Sequence, residues 1–251
     1  MPKTAKTLSG TKPESRAAEA LPLRHVAIIM DGNRRWADQR GLPRLVGHRE
    51  GVKALKETVK HATTQKLEYL TVYAFSSENW HRSHDEIDYL MKLFNEVLSH
   101  ELEELAKGGA RLRFIGDLSG MPTQLQFKLA AAMTKTQENS GLKLQVALNY
   151  GSRLEITQAI KEIVNQVKAG KITEQAITPE LVQNHLFTAG IPDPELMIRT
   201  GGEMRLSNYL LWQSAYTELY ITPVLWPDFS PKEFDEAIKE FTLRKRRYGG
   251  D

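Results

Sequence analysis

Apolar residues along this chain fall into two rhythms. Residues 24–30 (RHVAIIM), 67–75 (LEYLTVYAF), 110–115 (ARLRFI) and 142–148 (LKLQVAL) are short runs rich in β-branched and aromatic side chains, the pattern of buried strands. Leu196–Arg199 and Glu218–Ile221 are shorter runs of the same kind. Helical patterns lie between them. In Ser152–Lys168 the residues Ile156, Ile160, Ile163, Val164 and Val167 recur at spacings of three and four, as one face of a helix requires. Several helix starts are marked. Ser83 with Glu86, and Ser230 with Glu233 behind Pro231, read as capping boxes, and Thr178 before Pro179 reads as an N-cap. Strands alternating with helices predict an α/β fold: a single domain with a central, mostly parallel twisted sheet flanked by helices.

Residues 1–22 carry neither rhythm. They mix Lys, Thr, Ser, Pro and Ala without an apolar stretch, so they read as a disordered tail ahead of a catalytic domain over 23–251, and not as a secretory leader. No run of about 18 apolar residues predicts a membrane span. The chain has no cysteine, which excludes disulfides, thiolate catalysis and Cys-based metal sites. The formal net charge of +3 is too small to point to nucleic acid, so where the arginines sit matters more than their number. A cytoplasmic protein is expected.

Ligands of parallel sheets collect beyond the carboxyl ends of the strands, so polar residues just after a predicted strand come first. After HVAIIM stand Asp31, Gly32, Asn33, Arg34, Arg35 and Trp36. A carboxylate can offer oxygen to a hard cation, glycine leaves backbone room, and arginine is the side chain suited to bidentate phosphate binding. The same letters also describe a polar turn with solvated arginines. A phosphatase with a strand-end Asp nucleophile would want a second Asp at the place of Asn33. Arg44 follows, then Gly47-His48-Arg49-Glu50-Gly51, which reads as the opening of a helix and so as a phosphate-attracting terminus. The second strand ends in Ser76, Ser77, Glu78, Asn79, Trp80, His81 and Arg82: hydrogen-bonding groups and an arginine, or an ordinary loop with a rim aromatic. The third place, Arg199-Thr200-Gly201-Gly202 with Arg205, Leu206 and Ser207 beyond it, looks like another anion cradle. Glu218 sits among apolar residues, where a carboxylate needs a metal or an ion-pair partner.

Taken together, HVAIIMDGNRRWA, Arg44 with GHREG, TVYAFSSENWHR, IRTGGEMRLSNYLLWQSAYTELY and VLWPDF resemble the motifs of the cis-prenyltransferase family over residues 24–250. The resemblance implies a Mg²⁺-dependent enzyme. It would condense isopentenyl diphosphate onto an allylic diphosphate, with farnesyl diphosphate the expected primer and undecaprenyl diphosphate, a lipid carrier precursor for cell-wall glycan, the expected product. It implies that Asp31 binds Mg²⁺ and acts on the leaving diphosphate. Gly32, Asn33, Arg34, Arg35, Trp36, Arg44 and His48 would form the allylic diphosphate loop. Ser76, Ser77, Glu78, Asn79, Trp80 and Arg82 match the second motif, with Asn79 or Asp31 assisting proton removal, and Arg199, Arg205, Leu206 and Ser207 match the isopentenyl diphosphate site. Glu218 would share the metal across a homodimer, and Arg247 would reach the partner's substrate. Many members carry Gly where Arg34 stands, so its contact can run through the backbone.

An elongating product needs an apolar cavity, and Leu90, Met91, Leu93, Phe94, Val97 and Leu98, with Ala74 and Leu142, read as its wall or as plain helix-to-sheet core. A peripheral membrane contact would help the product leave. Two other readings stay open: a short-chain Z-prenyl diphosphate synthase, and a non-catalytic partner subunit, which would be expected to lose Asp31, Arg35 and Asn79.

Overall fold

The computed structural model describes residues 23–100 and 102–244. The tail over 1–22 and Arg247 lie outside the described residues. All six expected strands form, β1 (His25–Ile29), β2 (Tyr69–Ser76), β3 (Arg111–Ile115), β4 (Lys143–Tyr150), β5 (Leu196–Arg199) and β6 (Glu218–Ile221). They pair in one parallel sheet of order β3-β4-β2-β1-β5-β6. The helices are α1 (Asn33–Gln39), α2 (Arg44–Thr64), α3 (His84–His100), α4 (Leu102–Lys107), α5 (Thr123–Thr136), α6 (Ser152–Lys168), α7 (Pro179–Gln183) and α8 (Pro231–Leu243).

The period-2 alternation sorts the strand residues between two faces. Val26, Ile28, Leu70, Val72, Leu112, Leu144 and Ile198 feed the larger core, which Ala54, Val59, Leu90, Leu125, Leu129 and Phe234 close from α2, α3, α5 and α8. Burying each such Val, Leu, Ile or Phe is worth about 1.5–3 kcal/mol against leaving it in water. The opposite face carries a smaller cluster around Ala27, Ile29, Ala147 and Met197, finished by Tyr150, Tyr209 and Leu210.

Helix α6 forms over the expected span. Of its apolar period, Ile163 is buried with Ser152, Glu155 and Ala159, Ile156 and Val167 are half-buried, and Ile160 and Val164 are exposed. Polar partners explain this. Glu155 accepts a hydrogen bond from the buried Tyr150 hydroxyl (2.6 Å) and another from Gln213 (3.2 Å), so a polar network helps to seat the helix. Burial pushes the Glu155 carboxyl up from the usual carboxylate range. The Thr178 cap and the Ser230 capping box form as read.

Gly47 brings a correction. The helix starts at Arg44 behind Pro43, so Gly47 and Gly51 lie within α2 and not at its anion-attracting end. A Cβ at Gly47 would run into the Asn33 backbone carbonyl, and one at Gly51 into the Asn33 side chain. The two glycines therefore let α2 lie against the start of α1, and so fix the segment that follows β1. Gly47→Ala should destabilise the protein by about 1–3 kcal/mol, the cost of overpacking a closed contact. Urea unfolding checks this, and an unchanged midpoint would show that the contact yields.

Candidate active site

Sheet order reverses at β1, which has β2 on one side and β5 on the other, so the crevice at its carboxyl end is a topological switch point. Asp31 sits there. Thr200, fully buried at the end of β5, pins its backbone: the Thr200 hydroxyl donates to the Asp31 carbonyl (2.7 Å) and accepts from the Asp31 N–H (2.9 Å). The Asp31 carboxylate lies between two guanidinium groups, Arg199 Nη2 at 2.9 Å from one oxygen and Arg35 Nη2 at 3.2 Å from the other. Arg199 is held in turn. Its Nη1 donates to Ser207 Oγ (2.8 Å) and to the Arg205 carbonyl, while its buried Nε has no acceptor. Arg35 Nη1 donates to the Gly201 carbonyl (2.7 Å) and lies 3.5 Å from Glu203. Gly201 must be glycine twice over: its φ is +82°, and a Cβ would collide with the Arg35 guanidinium.

A cleft of about 400 Å³ opens beside this pair, lined by Met30, Asp31 to Arg35, Asp38, Arg44, His48 and Arg82. Its far wall is organised by Glu86 of α3, whose side chain is 11% exposed. The Glu86 carboxylate accepts from Arg82 (2.8 Å), meets His48 Nε2 at 3.3 Å and lies 3.9 Å from Arg34. Burial, then the Arg82 charge, holds the His48 imidazole below its usual range against the upward pull of Glu86. Four arginines and a histidine outnumber the two lining carboxylates, Asp31 and Asp38, each already paired with arginine, so the cleft suits a multiply charged anion.

Comparison with known proteins agrees with this chemistry. A family model described as "Putative undecaprenyl diphosphate synthase" matches residues 29–249. The chain belongs to this family of cis-prenyltransferases. It is 49% identical over 227 residues to an isoprenyl transferase of Clostridium perfringens, covering 90% of each chain. It is 46% identical over 226 residues to a ditrans,polycis-undecaprenyl-diphosphate synthase, (2E,6E)-farnesyl-diphosphate specific, of Coxiella burnetii, covering 90% of this chain and 95% of that one. The crystal structure of lavandulyl diphosphate synthase from Lavandula x intermedia, in complex with dimethylallyl diphosphate, superposes with a TM-score of 0.88 at 36% identity, covering 90% of this chain and 98% of that one.

In this cis-prenyltransferase the residues singled out from sequence divide into those that meet and those that do not. Asp31, Gly32, Asn33, Arg34, Arg35, Arg44, His48 and Arg82 line one cleft, and Arg199 and Ser207 join it through Asp31. Trp36 turns away to Asp228 (2.6 Å), with Arg40 stacked 4.2 Å over its ring. Trp80 packs on the core residue Phe75 and donates to Asn149 (2.8 Å). The Asn79 amide oxygen accepts from the Ser76 N–H (3.1 Å) and so shapes the turn after β2. Ser77 donates to Glu78 (3.2 Å), and Glu78 accepts from Asn208 (2.7 Å), tying the second segment to the third. Arg205 is exposed and paired with Glu203 (2.6 Å), and with Leu206 it borders an apolar groove on the β5–β6 face. Glu218 opens β6 at the end of the sheet opposite Asp31, paired with Arg244 (2.9 Å), so one chain does not bring the two carboxylates together.

Sequence reasoning missed Glu203 and, above all, Glu86, and it placed Thr200 in the anion cradle without the lock it puts on the Asp31 backbone. The capping-box reading of Ser83 and Glu86 took the carboxylate for a helix-end group, whereas its partners are Arg82 and His48. The i,i+4 spacing of Arg82 and Glu86 was the available signal. Glu86→Gln should keep the fold but release Arg82 and Arg34, lowering kcat/KM for prenyl transfer by roughly 10–100-fold, the scale on which misplaced binding groups act. Steady-state kinetics with a circular-dichroism control checks this. Unchanged kcat/KM would remove Glu86 from the positioning machinery.

Proposed function

We propose that the chain lengthens farnesyl diphosphate with isopentenyl diphosphate units to give a medium-chain Z-polyprenyl diphosphate, undecaprenyl diphosphate, the precursor of a lipid carrier for cell-wall glycan. One observation carries the reading: a single carboxylate, Asp31, clamped by Arg35 and Arg199 at the mouth of a cleft that Arg34, Arg44, His48 and Arg82 line. The relatives supply the substrate class, since one named for undecaprenyl product and farnesyl primer is 46% identical along nearly the whole chain.

The donor set suits Mg²⁺ in the mode where one carboxylate and substrate phosphates share the ion, because Asp31 brings a carboxylate to the cleft beside the arginines. Asp31 would hold it, and the bound ion would supply charge stabilisation for the diphosphate oxygens. The rest falls to the chain's own residues. Arg34, Arg35, Arg44 and Arg82 bind the allylic diphosphate. Arg199, with its unpartnered Nε, and Ser207 face the isopentenyl diphosphate. The alkene carbon of isopentenyl diphosphate bonds to the allylic carbon, the allylic C–O bond breaks with both electrons leaving on diphosphate, and a proton departs from the new chain. The arginines stabilise the charge that develops on the leaving group, and holding two anions side by side removes much of the entropic barrier. Asp31 or Asn79 would steer the proton: the Asp31 oxygens are held by Arg35 and Arg199, and the Asn79 oxygen by the Ser76 N–H.

The product chain would run past α3, where Phe94, Val97 and Leu98 are only half-buried while Leu90, Met91, Leu93 and Leu142 are sealed in the core. No helix among the described residues is long and apolar enough to cross a membrane. Product release would use a peripheral membrane contact of a cytoplasmic enzyme. The apolar groove between Ile29, Met197, Met204, Leu206, Leu219 and Ile221, beside the edge strand β6 with Met204 84% exposed, supports a homodimer. The dimer would carry Glu218 and Arg247 towards the partner's site.

Incubation with farnesyl diphosphate, radiolabelled isopentenyl diphosphate and Mg²⁺ should give a ladder ending near undecaprenyl, abolished by EDTA and by Asp31→Ala in a protein that still folds. A ladder stopping after one or two additions would move the product to the short-chain class. No incorporation by folded protein would leave the partner-subunit reading.

A further inference from the structure

A second basic cleft lies at the other end of the sheet. Its volume is about 230 Å³, and Tyr69, Arg111, Arg113, Lys143, Gln145, Gly190 and Ile191 line it. Strand register builds it. Tyr69 of β2, Lys143 of β4 and Arg111 of β3 stand side by side, and one step further along the same face Gln145 stands beside Arg113. The period of two keeps Arg111 and Arg113 on one face of the edge strand. Three cations thus converge at the amino ends of these strands, whereas the catalytic cleft lies beyond the carboxyl end of β1.

Like charges set directly opposite each other across a strand pair are destabilising unless something neutralises them. No carboxylate of the described residues lies in ion-pair range of Arg111, Arg113 or Lys143. The acids nearby have other primary partners, although the Lys143 charge also acts on Glu68. Glu68 is bound in a fork by Arg24, with two hydrogen bonds of 2.9 Å, and Glu195 accepts from the backbone N–H groups of Arg24 (3.2 Å) and His25 (2.7 Å). What holds the cations is neutral: Arg113 donates to the Phe187 and Ala189 carbonyls (2.9 Å each), and Lys143 donates to the Tyr69 hydroxyl (3.0 Å) with its ammonium 4.5 Å from the ring centre. These contacts orient the side chains without cancelling their charge. Burial and the neighbouring Arg111 charge both hold Arg113 below the usual guanidinium range, as expected of a cation lacking a counter-ion. Gly190, at φ +78° with open space where a Cβ would stand, leaves the mouth clear.

We propose that this cleft is a binding site for a small phosphate-class dianion or polyanion, inorganic diphosphate being the size and charge that three converging cations and 230 Å³ suit. Arg111 and Arg113 present the planar donors that phosphate oxygens accept, and Lys143 adds a point charge. The site is distinct from the catalytic cleft and shares no residue with it.

The probe is sodium diphosphate, titrated calorimetrically into the full chain, with hydrogen exchange read at 110–114 and 187–191. Wild type should show binding beyond that of the catalytic cleft, with new protection in both segments. Arg111→Gln with Lys143→Gln should weaken that component by about 10-fold or more, the loss expected when charge-assisted contacts are removed. Arg111→Lys with Lys143→Arg, which keeps the charge, should retain it. Identical titrations of wild type and the neutralised variant, with no protection at 110–114, would overturn the proposal. So would a variant-sensitive association with phosphatidylglycerol vesicles unaccompanied by any titration with free diphosphate, since the anion recognised would then be a lipid surface.

Discussion

The structure turns on one ion pair, Asp31 with Arg199, at the point where three strands end. A guanidinium as enclosed as that of Arg199, only 6% exposed, needs a carboxylate to be tolerable there. Asp31 supplies it, and in doing so is fixed in place for its own task. The loop after β5 closes around the pair: Ser207 and the Arg205 carbonyl take the rest of the Arg199 donors, Gly201 makes room for Arg35, and Thr200 locks the Asp31 backbone. Two segments 168 residues apart thereby become one site.

That geometry also explains how a weakly basic chain can bind strongly charged substrates. Positive charge is not spread over the surface but gathered by carboxylates that are outnumbered. Asp31 gathers Arg35 and Arg199, Glu86 gathers Arg34 and Arg82, and Glu203 holds Arg35 and Arg205. Each acid orients its arginines by less than their full charge, so the cleft stays preorganised and net positive. Such preorganisation is what stabilises a leaving diphosphate without rearrangement during the reaction.

Much of the fold could be read from local pattern. The six strands, the Thr178 cap and the Ser230 box follow from β-branched runs and capping chemistry that need no distant partner. Asp31, Arg35 and Arg199 were legible because polar residues directly after a strand stand out. The misreadings share a cause, which is that long-range packing decides them. Gly47 and Gly51 resembled an anion-binding helix start, yet they answer to Asn33 on another helix. Helix α6 spans the residues its apolar period marked, but Ile160 and Val164 stay exposed where Tyr150 and Gln213 claim part of the inner face through Glu155. Glu86 looked like a cap although Arg82 stands four residues before it, because His48, 38 residues away, completes its role.

The claim that the Asp31–Arg199 pair organises the cleft is open to one direct measurement. A double-mutant cycle with Asp31→Asn and Arg199→Met, read as unfolding free energy, isolates the pair term. The account predicts a coupling of at least about 1 kcal/mol, with the double variant regaining part of what Asp31→Asn loses, because no buried guanidinium is then left unpaired. Additivity within about 0.5 kcal/mol would contradict it and leave the two residues as independent neighbours.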